Sequence, residues 1–305
     1  MSEKKEISPL YKGIILIVMS AFFFAFMNMF VRLSGELPAL QKSFFRNLIA
    51  FICAGAVLAK NKQPIKVPKN AWLPLLLRAG FGTVGIFCNF YALGILDLAD
   101  ASILNKMSPF FAIVFSIFIL KEKIKPAQLL IVLGALAGTV CVIKPSFSNV
   151  LTVPAFIALC GGMCAGLAYT FVRDLGQKGV KGSFIVFFFS GFSCLSVVPF
   201  LIFQYSPMTI KQLVFLLLAG LSAAGGQFSI TAAYCHAPAK DVSIYDYSQI
   251  IFASLLGYII FGQIPDLLSW IGYIIIVSMA LLMFLYNKNA AKHEKQIQAS
   301  EKNDS

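Results

Sequence analysis

The sequence predicts an all-α integral membrane protein of ten transmembrane helices, arranged as two inverted five-helix repeats. Three observations predict it. Hydrophobic residues make up 59% of the 305-residue chain and charged residues 12%, against about 25% charged in soluble domains. Thirty phenylalanines have no water-free core to share in a soluble fold of this size, whereas a bilayer accepts apolar surface directly. The apolar residues fall into ten runs, each near the roughly 20 residues needed to cross about 30 Å of hydrocarbon. Finally, the chain repeats itself at an offset of 141 residues, from Phe30-Val31-Arg32 to Phe171-Val172-Arg173.

The runs are read in order. Span one covers residues 13–33, after a polar N-terminal segment of residues 1–12. It ends at Arg32 with no small-x-small cleavage pattern beside it, and its repeat partner is internal, so it reads as a retained helix rather than a signal peptide. Span two (41–59) holds Arg46 and Asn47, span three (72–93) holds Arg78, Asn89 and Tyr91, and span four (99–120) holds Asn105, Lys106 and Pro109. Span five (127–143) contains Gly134-xxx-Gly138 and closes the first repeat, residues 13–143. A short turn over 144–152, with Pro145 and Asn149, leads into the second repeat, residues 153–286. Its spans are 153–173, 183–203, 212–234, 242–261 and 267–286, and a polar tail over 287–305 is expected to fray.

The repeat extends well beyond the tripeptide. Ala21 and Ala25 fall on Gly162 and Gly166, and Gly85, Phe87, Ala92, Asp100 and Ser102 recur as Gly226, Phe228, Ala233, Asp241 and Ser243. Five spans per unit is odd, so the second unit enters the membrane from the opposite side, and a pseudo-twofold axis lies in the membrane plane. Small-xxx-small spacing lets helix backbones touch in lipid. Ala21/Ala25 and Gly162/Gly166 therefore mark close helix packing, and Gly134/Gly138 either the same or a homodimer seam.

The net charge of +12 is explained by its placement and is no nucleic-acid signature. Ten spans put both termini on one side. With that side as the cytoplasm, eighteen Lys and Arg lie inside, four outside (Arg32, Lys42, Lys144, Lys211), and three within spans, which accounts for all 25. This is a positive-inside bias. Together with short loops it places the chain in a cell membrane, a bacterial inner membrane, with lipid as its solvent.

The segment from Ala101 through Asn105, Lys106, Met107, Ser108 and Pro109 to Phe111, continued by Leu120-Lys121-Glu122-Lys123, resembles the drug/metabolite transporter superfamily, EamA family. Arg46 in span two, the ten spans and the two five-helix units fit the same pattern. The resemblance covers roughly residues 13–286. It implies a basket of helices around a central cavity, lined by spans one, three, four, six, eight and nine, with five and ten set apart. It also implies transport, with a lean toward export, of amino acids, other metabolites, drugs or nucleotide sugars. The second unit departs from the first: Gln263 stands where the first has Glu122, and no proline matches Pro109.

Ionisable groups inside a bilayer cost at least about 2.5–3.5 kcal/mol each, so Arg46, Arg78, Lys106 and Asp246 each need a reason. At about 1.5 Å per residue, Lys106 and Arg46 lie about 10 and 8 Å below the outer boundary, and Arg78 and Asp246 about 9 and 6 Å above the inner one. That levels Asp246 with Arg78, as counter-ion or as a protonatable coupling group, and argues against a direct Asp246–Lys106 pair. Arg46 and Lys106 are then cations without an acid, suited to an anionic or zwitterionic small-molecule substrate. The competing use is snorkelling to the interface. Asn28, Asn105, Tyr91, Tyr169, Gln227 and Tyr247 supply polar groups for the same cavity, and the repeat mates Asn28 and Tyr169 are expected to face each other.

A membrane-embedded enzyme or a channel is the alternative. No cofactor motif, acidic metal cluster or catalytic histidine pattern is present, and His236 and His293 fall in a loop and in the tail. The seven cysteines show no CxxC. Nothing resembles a selectivity filter, and inverted repeats suit alternating access.

Overall fold

The computed structural model describes residues 8–61, 67–93, 95, 104–144 and 153–303. Among the described residues the chain forms ten helices of twelve residues or more. They are α1 (Pro9–Leu33), α2 (Ala39–Asn61), α3 (Trp72–Leu93), α4 (Ser108–Ile119), α5 (Pro126–Ile143), α6 (Val153–Gln177), α7 (Gly182–Gln204), α8 (Ile210–His236), α9 (Ser248–Phe261) and α10 (Leu267–Asn303). One helical turn, Ala239–Val242, and a 3-10 turn, Ser243–Tyr247, lead into α9. Among the described residues nine stretches are long and apolar enough to cross a bilayer, and α4 is a shorter apolar helix. The start of the fourth span and the turn over 145–152 lie outside the described residues.

Local sequence sets several ends. Pro9 opens α1, where a missing N–H costs nothing, and the Ser8 hydroxyl accepts from the Tyr11 N–H. Thr209 and Gln212 cap α8 reciprocally. Gly262, at φ +64°, ends α9 in the left-handed conformation that glycine reaches without strain. The tail differs from expectation: α10 continues to Asn303, because the stretch after Asn287 is rich in Ala, Lys, Glu and Gln, all good helix formers.

Cross-repeat packing builds the bundle. The first helix of each unit packs on the third helix of the other, α1 on α8 and α6 on α3, while α2 packs on α7 and α5 on α10. The two central contacts are made by repeat-related residues. The Ser20 hydroxyl of α1 donates to the Gly226 carbonyl of α8 at 2.9 Å. At the mates, a Cβ added to Gly161 of α6 would lie 3.3 Å from the Gly85 carbonyl of α3. Equivalent backbones thus touch at equivalent places, as an inverted repeat requires. The Gly134/Gly138 stripe is used inside the chain. A Cβ on Gly134 would lie 2.6 Å from the Met279 sulfur, and one on Gly138 3.0 Å from the Gly272 carbonyl. The feature that suggested a homodimer is therefore covered by α10.

Candidate functional site: a charged layer at the centre of the bundle

Two interrupted helices meet at the bundle centre. Lys106 lies in a turn just before α4, whose second residue is Pro109. Proline has no N–H to donate and disfavours a helical residue before it, so the helix starts afresh there. Asp246 sits in the 3-10 turn that precedes α9. Lys106 Nζ donates to Asp246 Oδ2 at 3.2 Å and to Gln249 Oε1 at 2.6 Å. The side chains are 14% and 9% exposed.

This corrects the depth reading, which argued against a Lys106–Asp246 pair and matched Asp246 with Arg78. The ninth apolar stretch begins at Ala239, three residues earlier than the apolar run suggested, and a 3-10 turn rises about 2.0 Å per residue rather than 1.5. Both effects carry Asp246 deeper, toward Lys106, and the long lysine side chain reaches across what remains. Gln249, one of the amides in the apolar runs, stands three residues after Asp246 and so shares its helix face.

Arg78 is turned inward rather than snorkelling. It is 2% exposed, its guanidinium lies 4.0 Å from the centre of the Phe189 ring, and Nη2 donates to Gln227 Oε1 at 3.4 Å. Gly82, one turn along α3, makes the room: a Cβ there would fall 2.3 Å from Arg78 Nη1. Arg46 of α2 is half-buried, 6.0 Å from the Phe24 ring centre. Tyr169 of α6 lies within electrostatic reach of Arg46, Arg78 and Asp246. Neither arginine forms an ion pair among the described residues, and the Nε of each is buried without a hydrogen-bond partner. Three cations against one carboxylate leave the layer with a surplus of two positive charges (3 − 1).

The polar groups sort by position. Tyr169 stacks on Tyr234 with ring centres 5.1 Å apart and 9° between planes, and the Tyr234 hydroxyl is 3.1 Å from the Ser243 hydroxyl. Tyr247 is fully buried with its hydroxyl unpartnered. Asn105 is half-buried, its backbone against Gly162. Asn28 is exposed, yet at about 100° per residue it lies between Phe24 and Ala21, which are buried, and opposite Phe22 and Met19, which face lipid. Tyr91 is 49% exposed and about 140° around α3 from Arg78, so it is not brought to the charges. No hydrogen bond joins Asn28 to Tyr169 among the described residues. Those residues hold no cluster of metal-ligating side chains. A separate apolar cleft of about 320 Å³ opens on the flank between α1, α9 and α10, lined by Val18, Tyr245, Ile276 and Phe284 among others, and has no part in the charged layer.

The profile of the EamA-like transporter family matches residues 11–144 and again 152–285. The chain belongs to this family. Among similar proteins is the pseudopaline exporter CntI of Pseudomonas aeruginosa, 31% identical over 277 residues that span 88% of this chain and 94% of that protein. An uncharacterized transporter of Helicobacter pylori is 26% identical, covering 90% of this chain and 94% of its own. Human solute carrier family 35 member G1 is 26% identical over 83% of this chain and 73% of that protein. A crystal structure superposes with a TM-score of 0.81 at 16% identity, over 90% of this chain and 98% of that one, which shows the fold alone. The EamA chain described here is thus a multi-pass membrane transporter, and its two profile matches coincide with the two structural units.

Proposed function

We propose that this EamA protein is a secondary transporter in a bacterial inner membrane, with both termini cytoplasmic, that exports small anionic or zwitterionic metabolites by alternating access. The observation that supports it most is the pair of inward-turned arginines without an acid. A charge placed at this depth costs several kcal/mol unless something compensates it, and an anionic group seated between Arg46 and Arg78 would do so. Both guanidiniums offer bidentate donors to a carboxylate or phosphate. Lys106 and Asp246 form the second half of the site. A zwitterionic substrate exchanges partners with this pair, its ammonium on Asp246 and its acid on Lys106. Asp246 is also the group through which proton movement would couple. Export is supported by the relative named an exporter.

The test is counterflow in proteoliposomes loaded with candidate organic acids, amino acids and neutral analogues. Saturable exchange is expected for the anionic or zwitterionic class. Arg46→Gln and Arg78→Gln each lower its rate by roughly tenfold or more, the loss of one charge-assisted contact. Equal transport of neutral analogues, or full activity in both variants, would overturn the reading.

A further inference from the structure

The apolar cleft on the flank of α1, α9 and α10 stands apart from the charged layer. Its floor is buried protein: Ile244 and Tyr245, the two residues before Asp246, and Ile276 of α10. Val277 and Leu281 of α10 form an exposed rim. Two hydroxyls stand in the lining, and neither offers a polar group to an occupant. The Ser248 hydroxyl donates to the Tyr245 carbonyl at 2.7 Å, and the Tyr245 hydroxyl is itself buried. All the lining residues belong to membrane-spanning stretches, so the cleft opens sideways into hydrocarbon rather than into water.

Its dimensions select the occupant. Along α10 the lining runs from Ile276 to Phe284, a rise of about 12 Å, against about 15 Å of hydrocarbon in one leaflet. A helix of a second copy would need a groove along the whole span, about 30 Å. A cleft of about 320 Å³ holds one flexible chain instead, at the small end of the range for small-molecule pockets.

One end of the cleft is closed and carries a cation. The Tyr11 ring packs on Phe284 with centres 5.7 Å apart, at the face where α1 begins and α10 leaves its apolar stretch. Lys288 lies one turn beyond Phe284 and two turns beyond Leu281, within about 40° of both around the helix axis. It therefore stands on the stripe that lines the cleft. Lys288 is exposed and forms no ion pair among the described residues. Glu122, Asp174 and Asp241 of the same face are already engaged, with Arg173, Lys178 and Gln128 respectively.

We infer that the cleft is a binding site for one acyl chain of an anionic phospholipid, whose headgroup rests on Lys288 in the leaflet at the face of the two termini. An apolar chain restores the dispersion contacts that an empty cleft forfeits, and Lys288 supplies the attraction to the negative headgroup. The floor of the cleft is the turn that carries Asp246, so a bound chain braces that turn from behind. The inference rests on the membrane location of the helices and not on the transport reading.

The test exposes the purified full chain to an equal mixture of phosphatidylglycerol and phosphatidylethanolamine with identical acyl chains, and reads retained lipid by native mass spectrometry. The parent retains one phospholipid and prefers phosphatidylglycerol by about fivefold, the effect of one basic residue near a membrane surface. Ala280→Phe, which fills the cleft, loses the lipid. Lys288→Gln keeps a lipid and loses the preference. Leu282→Phe, on the opposite exposed side of α10, retains lipid like the parent and controls for the added ring. Phosphatidylglycerol also raises the unfolding temperature of the parent, as a ligand of the folded state must, and does not raise that of Ala280→Phe. Should Ala280→Phe fail to fold, Val277→Trp blocks the same cleft from its exposed rim. A parent that retains no lipid, or cleft-filled variants that retain it like the parent, overturn the site. A dimer that Ala280→Phe dissociates gives the cleft to a second copy and overturns it as well. Equal retention of the two lipids by the parent overturns the anionic assignment.

Discussion

Lys106 and Asp246 meet as an ion pair at the centre of the bundle, Nζ to Oδ2 at 3.2 Å. The pair is almost fully enclosed, and removing one partner from such a pair leaves an unpaired charge costing about 3–5 kcal/mol. Lys106→Gln is therefore expected to lower thermal stability by that order, and the double variant Lys106→Gln/Asp246→Asn to recover much of it, as read by thermal unfolding in detergent. Transport should not recover in the double variant. If Asp246 couples protons, Asp246→Asn retains exchange of substrate but loses its response to a pH gradient. A preserved response would remove that role. The charges that matter here all break the repeat. Arg46 and Arg78 have Phe187 and Ala219 as mates, and Asn105-Lys106 has Asp246-Tyr247. The first unit supplies the cations and the second the acid.

At the scale of elements, close backbone approach substitutes for hydrophobic drive, since lipid is as apolar as the side chains it would replace. The α5–α10 pair shows this most plainly. Gly138→Leu would put a branched side chain where a Cβ already comes within 3.0 Å of the Gly272 carbonyl and 2.9 Å of Ile275 Cγ2. The expected outcome is a loss of about 1–3 kcal/mol from overpacking, measured as a lower unfolding temperature. Transport should survive in the folded fraction, because α5 and α10 contribute none of the charged layer. One end of the same pair is joined by Lys144 and Asp266. The hydrogen bond from Lys144, with those of Ser269, holds the Asp266 carboxyl down at about 2. Whatever stability it adds is present above the ordinary carboxylate range and is lost as pH falls through about 2. The interrupted segments before α4 and α9 work the other way. Regular helix gives out there, and side chains that would have been buried among neighbours one turn apart are turned into the bundle centre.

The whole molecule is nearly symmetric in construction. Both units use the same helix contacts, α1 on α8 and α6 on α3. The topology that gives this its meaning is testable. Single cysteines introduced at Ser2 and Ser305 should both be protected from an impermeant reagent applied to intact cells, and both should react after permeabilisation. Labelling of either one in intact cells would invert or break the assignment of faces.

The ten helices, their inversion and the membership of the chain in a transporter family were legible in residue order alone. Hydropathy periods, an odd number of spans per unit and the 141-residue offset are properties of the chain, and a bilayer converts them into topology with little freedom left. The four ionisable residues were also visible, because any charge in an apolar run must be accounted for. Which of them meet was decided only by tertiary structure. Counting residues from a boundary assumes straight, regular helices, and the turn before Pro109 and the 3-10 turn at Asp246 violate that assumption. The inward turn of Arg78 depends on the space left by Gly82 and the ring of Phe189, neither of which is a neighbour with a readable spacing rule.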